Sequence, residues 1–196
     1  HDVRRRIFFA ALTIFAFRAT PGVGPGYSWF SIDRLGFDEA FFGRLGELGS
    51  LLGLLAAWFL SDAITRQPIA RVLLWLTIAG TILAFPNLIL VYEAYGWTGL
   101  DARSIAFIDT AASSPLVQVS MIPLLTLIAI YAPAQHRATW FALMASFMNL
   151  ALVAGQLQTK YLNMVFPIER GVYGLLPTLT VVVTAIGFVV PIAVIL

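Results

Sequence analysis

Two ionisable residues lie deep inside apolar segments, where a charge could bind a solute or carry a proton. Arg18 lies about eleven residues, or roughly 17 Å, into the first apolar stretch, and Asp109 lies about one turn into the fourth. An ionisable group in hydrocarbon costs several kcal/mol unless it is paired or hydrated, so it marks a transport pathway by default. We expect Arg18 to attract an anion and Asp109 to carry a coupling proton. As a pair between helices or as neighbours in a cavity, the two side chains are predicted to approach each other or to share one cavity, at the face used by the other half of the protein.

Two further charges, Arg44 and Glu47, occupy one face of the second apolar stretch at a spacing of three residues. A pathway role for them competes with a local structural pair near the membrane interface.

A polar stripe runs along the fifth apolar stretch. Asn149, Gln156 and Lys160 share one helical face, and Gln118 of the fourth stretch is expected to join them. Lys160 could instead extend to the interface, and Asn149 could bond a neighbouring helix. Because unpaired polar groups are costly in hydrocarbon, this face is predicted to be covered by a partner or to line an aqueous funnel.

The segment that follows Arg18 predicts a break in its helix, between about Thr20 and Gly26. Prolines there lack amide donors, and glycines lower the cost of a turn. Non-helical backbone is tolerated at membrane depth only where protein groups or water can form hydrogen bonds with it. We therefore expect a hinge beside a pathway. The predicted hinge residues are Pro21, Gly22, Gly24, Pro25 and Gly26.

Composition identifies the class of protein that must hold these residues. The 196 residues are 60% hydrophobic and only 11% charged, which predicts an integral membrane protein. With no cysteine and two histidines, a disulfide framework, a thiolate metal site and a His-rich metal site are not expected. The net charge of +2 argues against nucleic-acid binding. No zinc-protease or Ser-His-Asp pattern occurs, so we expect neither an enzyme nor a cofactor.

The predicted fold class is all-α, a polytopic membrane protein with six transmembrane helices in a single bundle over residues 1–196. Because about 20 residues cross the hydrocarbon, six stretches qualify once the first is allowed to end at the break. They are residues 7–20, 39–60, 72–92, 105–132, 138–162 and 173–196. The chain lacks an initial Met and ends within an apolar run, so we expect it to be a fragment.

The distribution of basic residues predicts a cytoplasmic N-terminus. The flanks that would then face inward hold Arg4, Arg5, Arg6, Arg66, Arg71 and Arg137. Those that would face outward hold Arg34, Arg103, Lys160 and Arg170.

Residues 19–60, ATPGVGPGYSWFSIDRLGFDEAFFGRLGELGSLLGLLAAWFL, resemble the segment that opens the C-terminal half of folate–biopterin transporters, a branch of the major facilitator superfamily. The matching motifs are Ala19-Thr20-Pro21, the aromatic segment from Tyr27 to Phe30, Leu35-Gly36-Phe37 and Gly43-Arg44. Asp109 and the residues Pro133, Thr139, Phe141, Ala142 and Leu143 extend the likeness. Arg18 departs from it, because the family more often has a neutral polar residue there.

The resemblance implies one half of a twelve-helix transporter, helices seven to twelve. The loop residues Gly53, Asp62, Arg66 and Arg71 resemble the superfamily's cytoplasmic latch, which implies a gate at Asp62, Arg66 and Arg71. Such a half needs a partner on its pathway face. We expect a missing N-terminal half, a second copy or another membrane subunit, with membrane lipids around the rest.

The function predicted from these residues is half of a secondary transporter for a small anionic or amphipathic, pterin-like or folate-like solute. In this hypothesis Lys160 assists Arg18, Glu47 assists Asp109 in coupling to protons, and Tyr27, Trp29 and Phe30 stack on a flat ring. The alternative is a transporter-like structural subunit that transports nothing, within a larger pigment-binding or energy-transducing membrane complex.

Overall fold

The computed structural model describes the backbone of residues 2–195 and the side chains of residues 5–195, and within that range it is helical without a β-strand. The α-helices are α1 (Asp2–Arg18), α2 (Pro25–Asp33), α3 (Glu39–Thr65), α4 (Ile69–Ile82), α5 (Phe85–Val91), α6 (Ala102–Ile130), α7 (Arg137–Val165) and α8 (Leu176–Ile195). A 3₁₀ turn, Ala94–Trp97, connects α5 to α6. His1, Leu196 and the side chain of Arg4, which the sequence predictions include, lie outside the described part of the chain.

Five helical segments are long and apolar enough to cross a membrane. They are α3, the consecutive pair α4 and α5 (Ile69–Val91), α6, α7 and α8. Each has at least 20 residues, and at about 1.5 Å per residue that length matches a hydrocarbon core of roughly 30 Å. Large apolar side chains cover their outward faces, as Trp58 and Phe59 show with 79% and 73% exposure. These segments indicate an integral, multi-pass membrane protein.

The prediction of six spans is not confirmed by the described residues, because the helix at the first predicted span, 7–20, is shorter than each of these five segments. Helix α1 begins at Asp2, ends at Arg18 and has 17 residues, and α2 adds only nine after a break. The other boundaries shift by a few residues. The predicted span 72–92 is divided between α4 and α5, because Pro86 in the first turn of α5 has no amide to donate to the preceding turn.

Capping side chains account for two of the observed helix starts. The Asp38 carboxylate accepts a 2.7 Å hydrogen bond from the Phe41 amide at the start of α3. Likewise, Asp101 accepts a 3.1 Å bond from the Ser104 amide at the start of α6. Each carboxylate satisfies an amide that has no partner within its own helix.

Helices α3 and α6 are the most closely packed pair, and two glycines of α3 make their approach possible. A Cβ on Gly49 would lie 2.7 Å from Ser114 Oγ, and one on Gly53 would lie 3.3 Å from Gln118 Cβ. Small residues let backbones approach closely where the surrounding medium gives no hydrophobic driving force. On the other side of the bundle, α1 packs against α7 and α8, and α4 packs against α6 and α8.

Two clusters of buried side chains occupy the interior between these helices. One joins α1, α4, α6 and α7 through Ile14, Leu73, Leu124, Ile128 and Met148. The other joins the start of α3 to α5 and α6 through Phe37, Phe41, Leu90, Ile105 and Ala106. The break after Arg18 is therefore attached to a packed helix on each side, α1 in the first cluster and α2 against α5 and α8.

Candidate functional site

The helix break after Arg18 is present in the structure. Residues 19–24 are not helical, and Gly24 has a φ of 83°, a left-handed conformation that glycine adopts without a side-chain clash. The predicted loss of helix is therefore observed from Thr20 to Gly24. Pro25 and Gly26, however, already belong to the first turn of α2, where proline is tolerated because that amide needs no helical partner. Whether the segment acts as a hinge stays a prediction.

Helix α7 supplies partners for the backbone groups that the break leaves free. The Gln158 side-chain amide donates to the Ala19 carbonyl at 2.9 Å, and the Asn163 amide donates to the Val23 carbonyl at 3.1 Å. In the opposite direction, the Gly22 amide donates to Thr159 Oγ1 at 2.8 Å. Side chains of α7 thus form the hydrogen bonds that non-helical backbone needs within a membrane.

Close contact between α7 and the break depends on Gly155. A Cβ at this buried position would lie 2.9 Å from the Thr20 carbonyl oxygen and 3.2 Å from the Ala19 carbonyl carbon. Both neighbours are backbone atoms, so neither could move aside as the end of a side chain would. Gly155 therefore brings α7 near enough for Gln158 and Thr159 to reach the break.

This contact face of α7 is not the one that the polar stripe predicted. The spacing of Gly155, Thr159 and Asn163, four residues each time, was the signal that could have revealed it, because residues four apart share a helical face. The predicted stripe points elsewhere: Asn149, Gln156, Lys160 and Gln118 are all exposed in the described bundle. Their proposed cover or funnel stays a prediction.

Arg18 is the last residue of α1, and its side chain is turned into the bundle. Its Nη1 lies 3.4 Å from Met121 Sδ on α6, and its Nε is buried without a hydrogen-bond partner. Among the described side chains no carboxylate lies within 4.0 Å of it. A thioether is only a weak acceptor, so the guanidinium has a contact there but no counter-charge.

Asp109 is half-buried on α6 and lies near α2, close enough to the Tyr27 phenol for the two groups to interact electrostatically. Asp109 and Met121 are twelve residues apart on α6, which separates them by about 18 Å along the helix axis. The described chain has no ion pair between Asp109 and Arg18. A shared cavity for these two charges stays a prediction.

One aromatic residue predicted to stack on a solute is not accessible. Phe30 is 2% exposed and packs edge-on against Tyr173, with ring centroids 5.6 Å apart. Tyr27 and Trp29 on the same helix remain half-buried. Of the three predicted rings, these two are available to contact a ligand.

The remaining predicted site residues lie on the surface without the local pairs that their spacing allows. Arg44 and Glu47 are exposed and do not form an ion pair, and the same holds for the exposed gate residues Asp62, Arg66 and Arg71, as far as the structure describes side chains. An exposed pair gains little free energy against the entropy of fixing two long side chains. A gate role would therefore need contacts outside this chain.

The three ion pairs of the described residues all join connections predicted to lie on the outer side. They are Arg34–Glu93 at 3.5 Å, Arg103–Asp38 at 3.6 Å and Arg170–Asp33 at 3.1 Å. Hydrogen bonds from Arg170 and from the Tyr173 hydroxyl hold the pKa of Asp33 below its ordinary value of 3.8. These contacts tie the end of α2 to the segment that precedes α8.

Comparison with known proteins adds two findings to this geometry. A family model described as the BT1 family matches residues 3–196. The chain is also 30% identical over 164 residues to a protein of Synechocystis sp. named folate-biopterin transporter, and the match covers 82% of this chain and 33% of that protein. The chain thus spans about a third of the length of this curated relative. No solved structure is significantly similar.

Proposed function

The chain belongs to the BT1 family, and we propose that it acts as part of a membrane transporter for a small anionic or amphipathic solute with a flat, pterin-like ring. Family membership agrees with the resemblance that the motifs around Ala19 and Asp109 indicate. The class of solute is proposed from the relative's name, folate-biopterin transporter. Location in a membrane follows from the five apolar helical segments. Transport rather than catalysis is therefore the proposed activity.

The observation that carries this proposal is the environment of Arg18. Its guanidinium is turned into the bundle beside a helix break, and its Nε has neither a hydrogen-bond acceptor nor a nearby carboxylate in the described chain. A half-buried guanidinium whose Nε has no acceptor is unfavourable, and an acceptor from outside the described residues would satisfy it. The carboxylate or acidic ring edge of a solute would supply it, and its departure would leave the site ready for the next solute.

Asp109 is the proposed proton carrier. It is half-buried, and the described chain gives it no basic partner within 4.0 Å. A carboxylate without a fixed counter-charge can bind and release a proton as its surroundings change, which is what coupling requires. Its proximity to Tyr27 would connect protonation to the segment that contains the break, and Glu47 is the second candidate.

The proposed pathway lies between this bundle and a partner. The exposed polar stripe and Gln118 need cover in a membrane, and two thirds of the curated relative lies outside the match. We therefore propose that an N-terminal half, a second copy or another subunit covers this face and contacts Asp62, Arg66 and Arg71 on the cytoplasmic side. The N-terminus is proposed to be cytoplasmic as well.

Uptake into proteoliposomes tests the proposed function directly. The full-length native protein would be reconstituted and offered radiolabelled folate, biopterin and an uncharged control such as glucose. Accumulation of folate or biopterin above that of empty liposomes, increased by an inward proton gradient, is the expected result. If neither pterin compound accumulates, with or without a gradient, the transport proposal is wrong.

A further inference from the structure

A cavity of about 370 Å³ lies between α1, α4, α6 and α8, on a part of the bundle that the proposed pathway does not use. Neither Arg18 nor Asp109 lines it, and no residue of the polar stripe does. Its wall includes apolar side chains from α4, α6 and α8, such as Leu76, Leu116 and Val183. The cavity therefore needs an explanation separate from solute transport.

Five hydroxyl side chains in the wall already donate hydrogen bonds to nearby backbone carbonyls. Each donates to a carbonyl three or four residues earlier, at distances between 2.6 and 3.0 Å. These residues are Thr20, Thr77, Thr81, Ser120 and Thr184. None of the described residues that line the wall is ionisable. The cavity consequently offers no free donor and no charge to an occupant, and dispersion is the main attraction left.

The hydrocarbon of a membrane is a suitable ligand for this cavity. Two of its walls, α4 and α8, belong to the two most apolar of the five candidate spans, and helices of that composition lie at the depth of the hydrocarbon in a membrane. Water needs two to four polar partners to occupy such a space, whereas an apolar cavity of about 150 Å³ already binds benzene. The cavity here is more than twice that volume. A flexible hydrocarbon chain can fill its irregular shape.

We propose that this cavity binds one acyl chain of a membrane phospholipid. The bound chain contacts Phe17 and Thr20, which flank Arg18 at the end of α1. It thus supports the broken helix at a place that the described side chains leave unfilled. This site is independent of the transport proposal, since it requires neither a solute nor a proton gradient.

Photo-crosslinking in a bilayer tests the site. The full-length protein is placed in nanodiscs of dioleoyl phosphatidylcholine containing some phospholipid with a diazirine in one acyl chain, and crosslinked residues are mapped by mass spectrometry. We expect crosslinks at Leu116, Val117 and Ser120, with Val189 on the outward face of α8 as the reference for bulk lipid.

Filling the cavity should remove those crosslinks selectively. A Cβ on Gly80 meets no atom within 4 Å, so Gly80→Leu extends into the cavity without a backbone clash. We expect a several-fold loss of crosslinks at Leu116 and Ser120 relative to Val189, and no loss in the control Ala63→Leu on α3. Val117→Phe provides a second filling variant if Gly80→Leu does not fold. The proposal is overturned if the wild type lacks these crosslinks, or if the filling variants retain them.

Discussion

Gln158 of α7 donates a 2.9 Å hydrogen bond from its side-chain amide to the carbonyl oxygen of Ala19, the residue directly after Arg18. This bond connects the proposed anion-binding arginine to a helix that is far away in the chain. Thr159 and Asn163 bond the same segment from the same helix, so α7 and the break are connected at three points. A displacement of α7 would therefore move the end of α1 and Arg18 with it.

Gly155→Ala should destabilise the protein, because the new Cβ would lie 2.9 Å from the Thr20 carbonyl oxygen. Overpacking of this kind costs about 1–3 kcal/mol. Thermal unfolding of the purified protein measures the effect as a lower midpoint. Gly46→Ala is the matched control, since its Cβ meets no atom within 4 Å and alanine favours a helix. Equal midpoints for Gly155→Ala and the wild type would contradict the close contact.

Gln158→Leu should destabilise the break by leaving the Ala19 carbonyl without its donor. An unsatisfied buried acceptor costs about 1–3 kcal/mol. The measurement is again the unfolding midpoint, with Gln156→Leu as the control because Gln156, two positions away, makes no hydrogen bond to the break. Gln158→Glu should also destabilise, since an ionised carboxylate accepts but does not donate. A loss as large in Gln156→Leu as in Gln158→Leu would show that the hydrogen bond is not the cause.

Arg18→Ala should raise the apparent KM for an anionic solute in the uptake assay. A hydrogen bond to a charged group contributes about 1.5–3 kcal/mol, which corresponds to roughly a ten- to hundred-fold change in affinity. Arg18→Lys should keep part of the affinity because the charge remains. Arg137→Ala, an exposed position at the start of α7, is the control. Unchanged KM in Arg18→Ala would remove Arg18 from the proposed site.

The contacts of ionised Asp33 should stabilise the protein at neutral pH and should be lost in acid. The folded-state pKa of this carboxyl lies below 3.8, because Arg170 and Tyr173 donate hydrogen bonds to the ionised form. Its contribution to stability is therefore present above the unfolded-state pKa and is lost as the pH falls through the folded-state pKa. Asp33→Asn should lower the unfolding midpoint at neutral pH and show a flatter decline below pH 4, the region of the ordinary aspartate pKa.

Glu169→Gln, at an exposed carboxylate without an ion pair in the described chain, is the control for this acid effect. It should decline with pH as the wild type does. If Asp33→Asn and the wild type lose stability in parallel between neutral pH and pH 3, the ion pair makes no measurable contribution.

Local chemistry explains which features the sequence was able to predict. The break after Arg18 follows from the prolines and glycines of residues 21–26, whose effect on backbone geometry does not depend on neighbours. The apolar segments follow from the thickness of a bilayer, and five of them are long helices. The motifs around Ala19 and Asp109 indicated the family.

The contacts between helices could not be predicted from the sequence, because they depend on which helix faces meet. Two residues along a helix turn a side chain by about 200°, so the choice between Gln156 and Gln158 is decided by where α7 contacts the break. The same holds for Phe30, which packing against Tyr173 turns into the interior. The packing of α1 and α2 in separate clusters, on the two sides of the predicted break, was decided in the same way.

By itself, the sequence determined an all-helical membrane chain of the BT1 family with a charged residue beside a helix break, since these follow from composition, local geometry and motif. Only the tertiary structure decided that side chains of α7 bond to the break, and that Arg18 meets a thioether and no carboxylate among the described side chains. It also placed a cavity beside Phe17 and Thr20, between α1, α4, α6 and α8. The physical reason is that partners of buried polar groups come from residues far apart in the chain, and their positions are set by the packing of whole helices.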